Sequence, residues 1–191
     1  SNTAVGRYAM IANTASSFNT AVGVQALNAA NTGGTNTAVG YLALRDTSTG
    51  IGNVAVGAYA GIQITTGGYN TALGLSALYA VTTADNNVAI GRNAMYVNTT
   101  GINNVAIGPF ALDANVSTNS STAVGYAALT TCTAAGNTGL GNSALAVCGS
   151  GGTNTAIGSL SGNLLTTGSN NSMLGSNAQA AAVSTNNSVT L

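Results

Sequence analysis

The sequence predicts an all-β fold, a parallel β-solenoid (or β-roll) built of 17-residue coils. Three observations support this prediction: a glycine that recurs at a fixed interval, a short extended segment before each of these glycines, and a composition rich in Thr, Val, Asn and Gly. Helix-forming residues other than Ala are scarce. We therefore expect a single repeat domain over residues 1–191, about 11 coils long, as a segment of a longer fibre.

The recurring glycine marks the repeat from one end of the chain to the other. Nine of its ten intervals are 17 residues, and the interval between Gly125 and Gly141 is 16 residues. A period held over many copies is typical of stacked repeat proteins. We expect these glycines to form a corner that needs a positive φ angle or a close backbone approach. They are Gly6, Gly23, Gly40, Gly57, Gly74, Gly91, Gly108, Gly125, Gly141, Gly158 and Gly175.

The segments around each glycine predict the shape of one coil. Most copies begin Asn-Thr-Ala-Val-Gly, as at residues 36–40, continue with a second apolar segment, and end in a Thr/Gly/Asn turn such as residues 65–68. This unit is too short for helical or propeller repeats, which take roughly 33 to 50 residues. It suits two short strands and two turns. With coils about 4.8 Å apart, the rod would be about 50 Å long.

The apolar positions predict which side chains face inward. We expect the Val or Ile before each glycine, and the Leu or Met four residues after it, to fill the coil interior. The Ala between Thr and Val would then point outward, because side chains alternate along a strand. Its small size predicts close packing about the axis of a homotrimer, with the chains side by side or intertwined. A wider monomeric solenoid is the alternative.

An asparagine opens nearly every repeat. Stacked coils would place these residues above one another, where amide side chains form ladders along parallel β-structure. We expect such a ladder to serve backbone groups at the corner. Its members are Asn2, Asn19, Asn36, Asn53, Asn70, Asn87, Asn104, Asn137, Asn154 and Asn171.

The repeated pattern Asn-(Thr/Val)-Ala-(Val/Ile)-Gly-x-x-Ala-(Leu/Met) runs through the whole chain, for example at residues 87–95. It resembles the head repeats of YadA-like trimeric autotransporter adhesins, and similar repeats occur in phage tail fibres and other bacterial surface fibres. The resemblance implies a left-handed parallel β-roll with three chains per fibre. The coils are longer here than in the adhesin head, so their turns must be larger. No stalk, anchor or charged neck accompanies the repeats, which leaves the autotransporter and phage-fibre alternatives open.

The charge composition argues against several functions. The chain has three Arg, three Asp and no His, and its net charge is zero. Ser and Thr therefore lack an ordinary general base, and no set of metal ligands is clustered. A neutral chain also offers no basic patch for nucleic acid. We expect no enzyme activity, no cofactor, no metal, no nucleic-acid partner and no membrane insertion by this segment.

Two cysteines occupy the same repeat position in adjacent coils. Cys132 and Cys148 each lie seven residues after a corner glycine. Their Cα atoms should be about 5 Å apart, which a disulfide accepts. The missing residue of the short interval falls in the turn after Cys132. A disulfide and two stacked free thiols both fit this pattern, and a disulfide would favour an oxidising, extracellular setting.

Aromatic and basic residues are the candidates for surface recognition. Tyr79 and Tyr96 share one repeat position with Arg45 and Ile62, in a variable column that we expect to face outward; Arg92 follows a corner glycine. Exposed tyrosines stack on sugars or anchor protein partners. The predicted function is a structural and adhesive segment of a trimeric extracellular fibre on a cell or virion. Its partners would be host- or prey-cell glycans or proteins. The alternatives are a phage tail-fibre shaft and a monomeric ice- or glycan-binding solenoid.

Overall fold

The computed structural model describes residues 1–29, 31–114 and 116–191 of the 191-residue chain. This part of the chain forms a parallel β-solenoid without helices, in which eleven turns of chain connect twelve short strands. The strands are β1 (Thr3–Val5), β2 (Thr20–Val22), β3 (Thr37–Val39), β4 (Val54–Val56), β5 (Thr71–Leu73), β6 (Val88–Ile90), β7 (Val105–Ile107), β8 (Thr122–Val124), β9 (Thr138–Leu140), β10 (Thr155–Ile157), β11 (Ser172–Leu174) and β12 (Val189–Thr190).

All the strands lie in one parallel sheet, in chain order. The register follows the repeat: Ala38 pairs with Ala55, and Ala55 pairs with Ala72. The short coil keeps this register, since Thr122 of β8 pairs with Thr138 of β9. Each position of the repeat therefore forms a straight column along the rod. The predicted β-solenoid of 17-residue coils is confirmed.

Each coil contains one strand, and the prediction of two strands per coil is wrong. The apolar segment after the glycine includes left-handed residues, such as Leu42 with φ 58° and Leu44 with φ 49°. Their N–H groups point to opposite neighbours, because Leu42 donates to the preceding coil (Val24 O, 3.0 Å) and Leu44 to the following coil (Ala60 O, 3.0 Å). Backbone groups are thus paired between coils without an extended strand. These bonds offset a left-handed conformation that costs about 1–2 kcal/mol per residue.

The corner glycine meets both conditions expected of it. Gly40 has φ 137°, and a Cβ atom there would lie 2.5 Å from the carbonyl oxygen of Gly57 in the next coil. Neither the backbone angle nor the space admits a side chain. The glycine column therefore permits the close stacking of successive coils at this corner.

The strand alanines face the interior, so the prediction that they form an outer wall at a trimer axis is wrong. Their side chains are 0–1% exposed. The aliphatic residue before the glycine faces outward, so the prediction that it fills the coil interior is wrong as well. Gly139, which replaces this alanine in β9, shows why: a Cβ atom there would lie 3.2 Å from Leu129 Cγ and 3.0 Å from Ala144 O. The space beside this layer is therefore tight even for a methyl group. The larger Met173 occupies this column in β11, where the neighbouring Gly162 leaves room for its side chain. The alanines are Ala21, Ala38, Ala55, Ala72, Ala89, Ala106, Ala123 and Ala156.

The residue four positions after the glycine fills the core as predicted. It is fully buried, together with the alanine that precedes it. In these coils the interior includes two alanine columns and one column of larger aliphatic side chains; Val81, Cys132 and Cys148, each seven positions after a corner glycine, are also buried. The larger side chains belong to Leu27, Leu44, Leu78, Met95, Leu112, Leu129 and Leu145.

Candidate recognition surface and structural columns

The asparagine column is a buried amide ladder, as predicted. The N–H group of Asn53 donates to Asn36 Oδ1 at 2.8 Å, and the N–H group of Asn70 donates to Asn53 Oδ1 at 3.0 Å. The Asn53 side-chain amide also donates to the carbonyl oxygen of Gly67 at 2.8 Å. Each amide therefore joins the strand entrance to the turn that ends the same coil, and its burial leaves it a structural role.

The outward side chains of the strands form an uncharged surface that we call the aliphatic strand face. It consists of the first and third residues of β1–β11, which are Thr, Ser, Val, Ile or Leu. In-register pairing aligns these residues along the rod. Their most exposed third residues have 37–58% of their surface open to water, and they are Val5, Val22, Leu73, Ile107, Leu140, Ile157 and Leu174.

Four tyrosines form a row along successive coils. The rings of Tyr79 and Tyr96 stack with centroids 4.9 Å apart, as their shared column suggested. Tyr59 lies 6.5 Å from Tyr79, and Tyr41 lies 5.2 Å from Tyr59 in an edge contact. The last two tyrosines occupy other repeat positions, so column analysis of the sequence did not join them to the row. Because Tyr79 and Tyr96 cover each other's faces, the pair offers less ring face to a ligand than separate tyrosines would.

Arg45 lies beside this row with its charge neutralised. Its Nε and NH2 groups donate to the two carboxylate oxygens of Asp46 at 2.6 and 2.7 Å. The hydrogen bond to Asp46 is the main reason why the pKa of Arg45 is raised, and Tyr79 and Tyr41 contribute smaller charge effects. Ile62, in the same column, is only 3% exposed, so the prediction that this whole column faces outward is wrong. It lies one coil from both Arg45 and Tyr79.

Arg92 belongs to a different cluster from Tyr79 and Tyr96. Its guanidinium lies 4.7 Å from the ring centroid of Phe110, and the Phe110 ring makes an edge contact with Tyr126 at 5.8 Å. These three residues, which we call the Arg92 cluster, come from three successive coils. Sequence reasoning missed Phe110 because it follows its glycine by two residues whereas Arg92 follows by one. The sequence signal that the three residues share is an aromatic or basic side chain one or two residues after a corner glycine.

The remaining ionisable groups are dispersed. Burial raises the pKa of the Asp113 carboxyl above its usual 3.8. Over residues 1–29, 31–114 and 116–191, the structure brings together no group of three or more Cys, Asp or Glu side chains that would hold a metal ion. None of the described residues belongs to a helix that could cross a bilayer.

Cys132 and Cys148 are stacked in the core as their shared column predicted. Their Cα atoms lie 4.8 Å apart, and the structure pairs the two sulfur atoms as a disulfide. Both side chains are fully buried. The residue missing from this coil comes from the exposed tip of the turn, because Thr133 still bonds to Gly149 and Thr153 still bonds to Ala135. The core columns therefore continue through the short coil.

Comparisons with protein families, with curated proteins and with solved structures find no match to this chain.

Proposed function

We propose that this chain is a structural and adhesive segment of an extracellular fibre, in which three copies of a left-handed β-roll pack around a common axis. The aliphatic strand face is the observation that carries the proposal. It presents exposed aliphatic side chains over the length of the rod and contains no charged residue. Burial of apolar surface stabilises association by about 25 cal/mol per Å². Packing between copies would remove this strip from water.

The geometry of the face favours a cyclic assembly. Its columns run parallel to the rod, and each copy offers the same strip. Three rods are therefore able to meet along their lengths with one axis between them. The buried alanine column takes no part in this contact, which would form between Val, Ile and Leu side chains instead. The resemblance of the repeats to surface-fibre repeats supports a place outside the cell or on a virion.

The test is the solution mass of the chain and of two matched charge variants. The native chain should sediment at three times its 18.4 kDa mass. Leu73→Lys/Ile107→Lys places two charges on the aliphatic strand face and should yield folded monomers, because a buried unpaired charge is costly. Thr66→Lys/Thr100→Lys adds the same charges at exposed turn residues and should remain trimeric.

Circular dichroism keeps assembly separate from folding in this comparison. All three proteins should show the same β spectrum, since every substituted side chain is at least partly exposed. A native chain that sediments as a folded monomer would overturn the trimer. A strand-face variant that remains trimeric would place the contact on another surface.

A further inference from the structure

We propose that the surface around Arg92, Phe110 and Tyr126 binds an anionic glycan, one that carries carboxylate or sulfate groups. This inference deepens the attachment part of the proposed function by assigning its location and ligand class. It rests on three features of the Arg92 cluster: an available cation, the exposed ring of Tyr126 beside the partly buried ring of Phe110, and flanking uncharged polar groups.

The cation is available because Arg92 is exposed and does not share the environment of the other arginines. Arg45 is held by Asp46 in the single salt bridge found among the described residues. Arg7 donates to the hydroxyl of Tyr8, its sequence neighbour, at 2.9 Å. Arg92 lies over the Phe110 ring, and the N–H edge of its guanidinium has no hydrogen-bond partner among the described residues. That edge is a fork suited to bidentate contact with a carboxylate or sulfate.

The two rings supply an apolar platform next to the cation. Their planes are 79° apart in an edge contact, so they are not stacked face to face. Tyr126 is 51% exposed and carries a hydroxyl group at the tip of an apolar body. A sugar ring has an apolar face of C–H groups and a rim of hydroxyls, which matches this combination. The stacked rings of Tyr79 and Tyr96 match it less well, and Arg45 beside them is already paired.

Uncharged hydrogen-bonding groups lie on both sides of the cluster. Asn93 follows Arg92 in the same coil, and Asn142 and Ser143 occupy the corresponding positions one coil beyond Tyr126. Asn142 is exposed and the other two are partly exposed. The surface from Arg92 and Asn93 to Asn142 and Ser143 spans four coils, about 14 Å, which is enough for a short oligosaccharide. One cation among amides and hydroxyls suits a sparsely charged sugar better than an acidic peptide, which calls for several cations.

The Arg7–Tyr8 pair provides a built-in comparison. Its guanidinium also lies over an aromatic ring, 4.5 Å from the centroid. In the next coil, Val24 and Gln25 are the two residues after the corner glycine, whereas the Arg92 cluster has Phe110 at the second of these positions. No ring from the next coil therefore extends the surface of the Arg7–Tyr8 pair. Arg7→Ala and Arg92→Ala remove the same charge from two cation–π pairs. A difference between them therefore reports the local site and not the net charge.

The experiment measures binding of the chain to immobilised sialylated, sulfated and neutral oligosaccharides. The native chain should prefer the acidic sugars. Arg92→Ala should lose at least about tenfold in affinity, the effect of one charge-assisted hydrogen-bonding group. Arg7→Ala should bind as the native chain does. Phe110→Leu, which keeps an apolar side chain and removes the ring, should also bind more weakly.

Three outcomes would overturn the site. They are the absence of binding to any acidic sugar, equal losses in Arg92→Ala and Arg7→Ala, and tighter binding to an acidic peptide than to the glycans. Sedimentation of the same samples keeps this proposal distinct from the fibre proposal. A monomer that binds acidic sugars would retain the site and reject the trimer, and a trimer that fails to bind would do the reverse.

Discussion

At the scale of single residues, the asparagine column shows how one side chain stabilises two coils. The Asn87 side-chain amide donates to Asn70 Oδ1 at 3.2 Å and to Gly101 O at 2.9 Å. Its own Oδ1 accepts the N–H group of Asn104 at 3.0 Å. The residue is fully buried, so each of these groups would be costly to leave unpaired. An amide suits the column because it donates and accepts at once.

Asn87→Asp should therefore destabilise the chain by about 3 kcal/mol or more, because it removes the donors and buries a carboxylate beside two oxygen acceptors. The midpoint of urea denaturation measures the loss. Asn86→Asp is the matched control, since the neighbouring Asn86 is exposed and left-handed with φ 59°. That variant should change the midpoint little. Equal midpoints for the two variants would mean that the ladder does not stabilise the fold.

At the scale of one coil, side chains at two core positions compensate for each other's size. Leu78 and Val81 are the paired core residues of one coil, whereas the preceding coil has Gly61 and Ile64 at the same positions. A Cβ atom on Gly61 would lie 2.9 Å from Ile64 Cδ1 and 2.9 Å from Leu44 Cδ2. The larger isoleucine thus occupies the space left by the missing leucine. Near the end of the chain Gly162 also replaces this leucine, and there a Cβ atom would lie 2.8 Å from Leu145 Cδ2 and 2.9 Å from Met173 Cε.

Gly61→Leu and Ile64→Val should be strongly coupled. The first alone overfills the coil and should cost about 1–3 kcal/mol, and the second alone leaves a small cavity that costs about 1 kcal/mol. The double variant recreates the Leu/Val pair of the next coil, so its loss should be smaller than the sum by about 1 kcal/mol. Urea denaturation of the three variants and the native chain measures this coupling. Additive losses would show that the two positions do not share space.

The cysteine pair makes a prediction for the short coil. Intact mass under denaturing conditions should increase by about two units on reduction if the disulfide is formed. The 16-residue separation of the pair gives a stabilisation of about 3 kcal/mol in the chain-entropy picture. Cys132→Val/Cys148→Val is the control, because Val81 already occupies this core column. An unchanged mass of the native chain, with both thiols open to alkylation after unfolding, would establish two stacked free cysteines.

At the scale of the whole molecule, in-register stacking makes the coils interchangeable. Each strand pairs with its immediate neighbours in the sheet, and the strand columns continue from coil to coil. Stability in such a rod is close to a sum over coils and their interfaces. The length of the rod is thus set by the number of coils and not by a closed core.

Deletion of residues 75–91 should consequently leave a folded rod. It removes one 17-residue coil and joins Gly74 to Arg92 with every column in place. The β spectrum should persist, with a modestly lower thermal midpoint. Deletion of residues 75–83 is the control, since it shifts the core and turn columns out of register and should unfold the adjoining coils. Similar behaviour of the two deletions would contradict column matching as the basis of the fold.

The sequence by itself determined the features of this protein that arise from contacts between equivalent residues of successive coils. Repetition at a constant interval places like residues above one another, so the parallel sheet, the corner glycines, the amide ladder and the stacked cysteines follow from spacing. The tertiary structure decided which strand face turns inward. Alternation in a strand permits either the alanine or its aliphatic neighbours inside, and the layer of Leu129 and Ala144 lies too close for a side chain larger than a methyl group. Contacts between different columns, such as Arg92 with Phe110, also depended on the structure, because side-chain reach across coils is set by three-dimensional packing and not by position in the repeat.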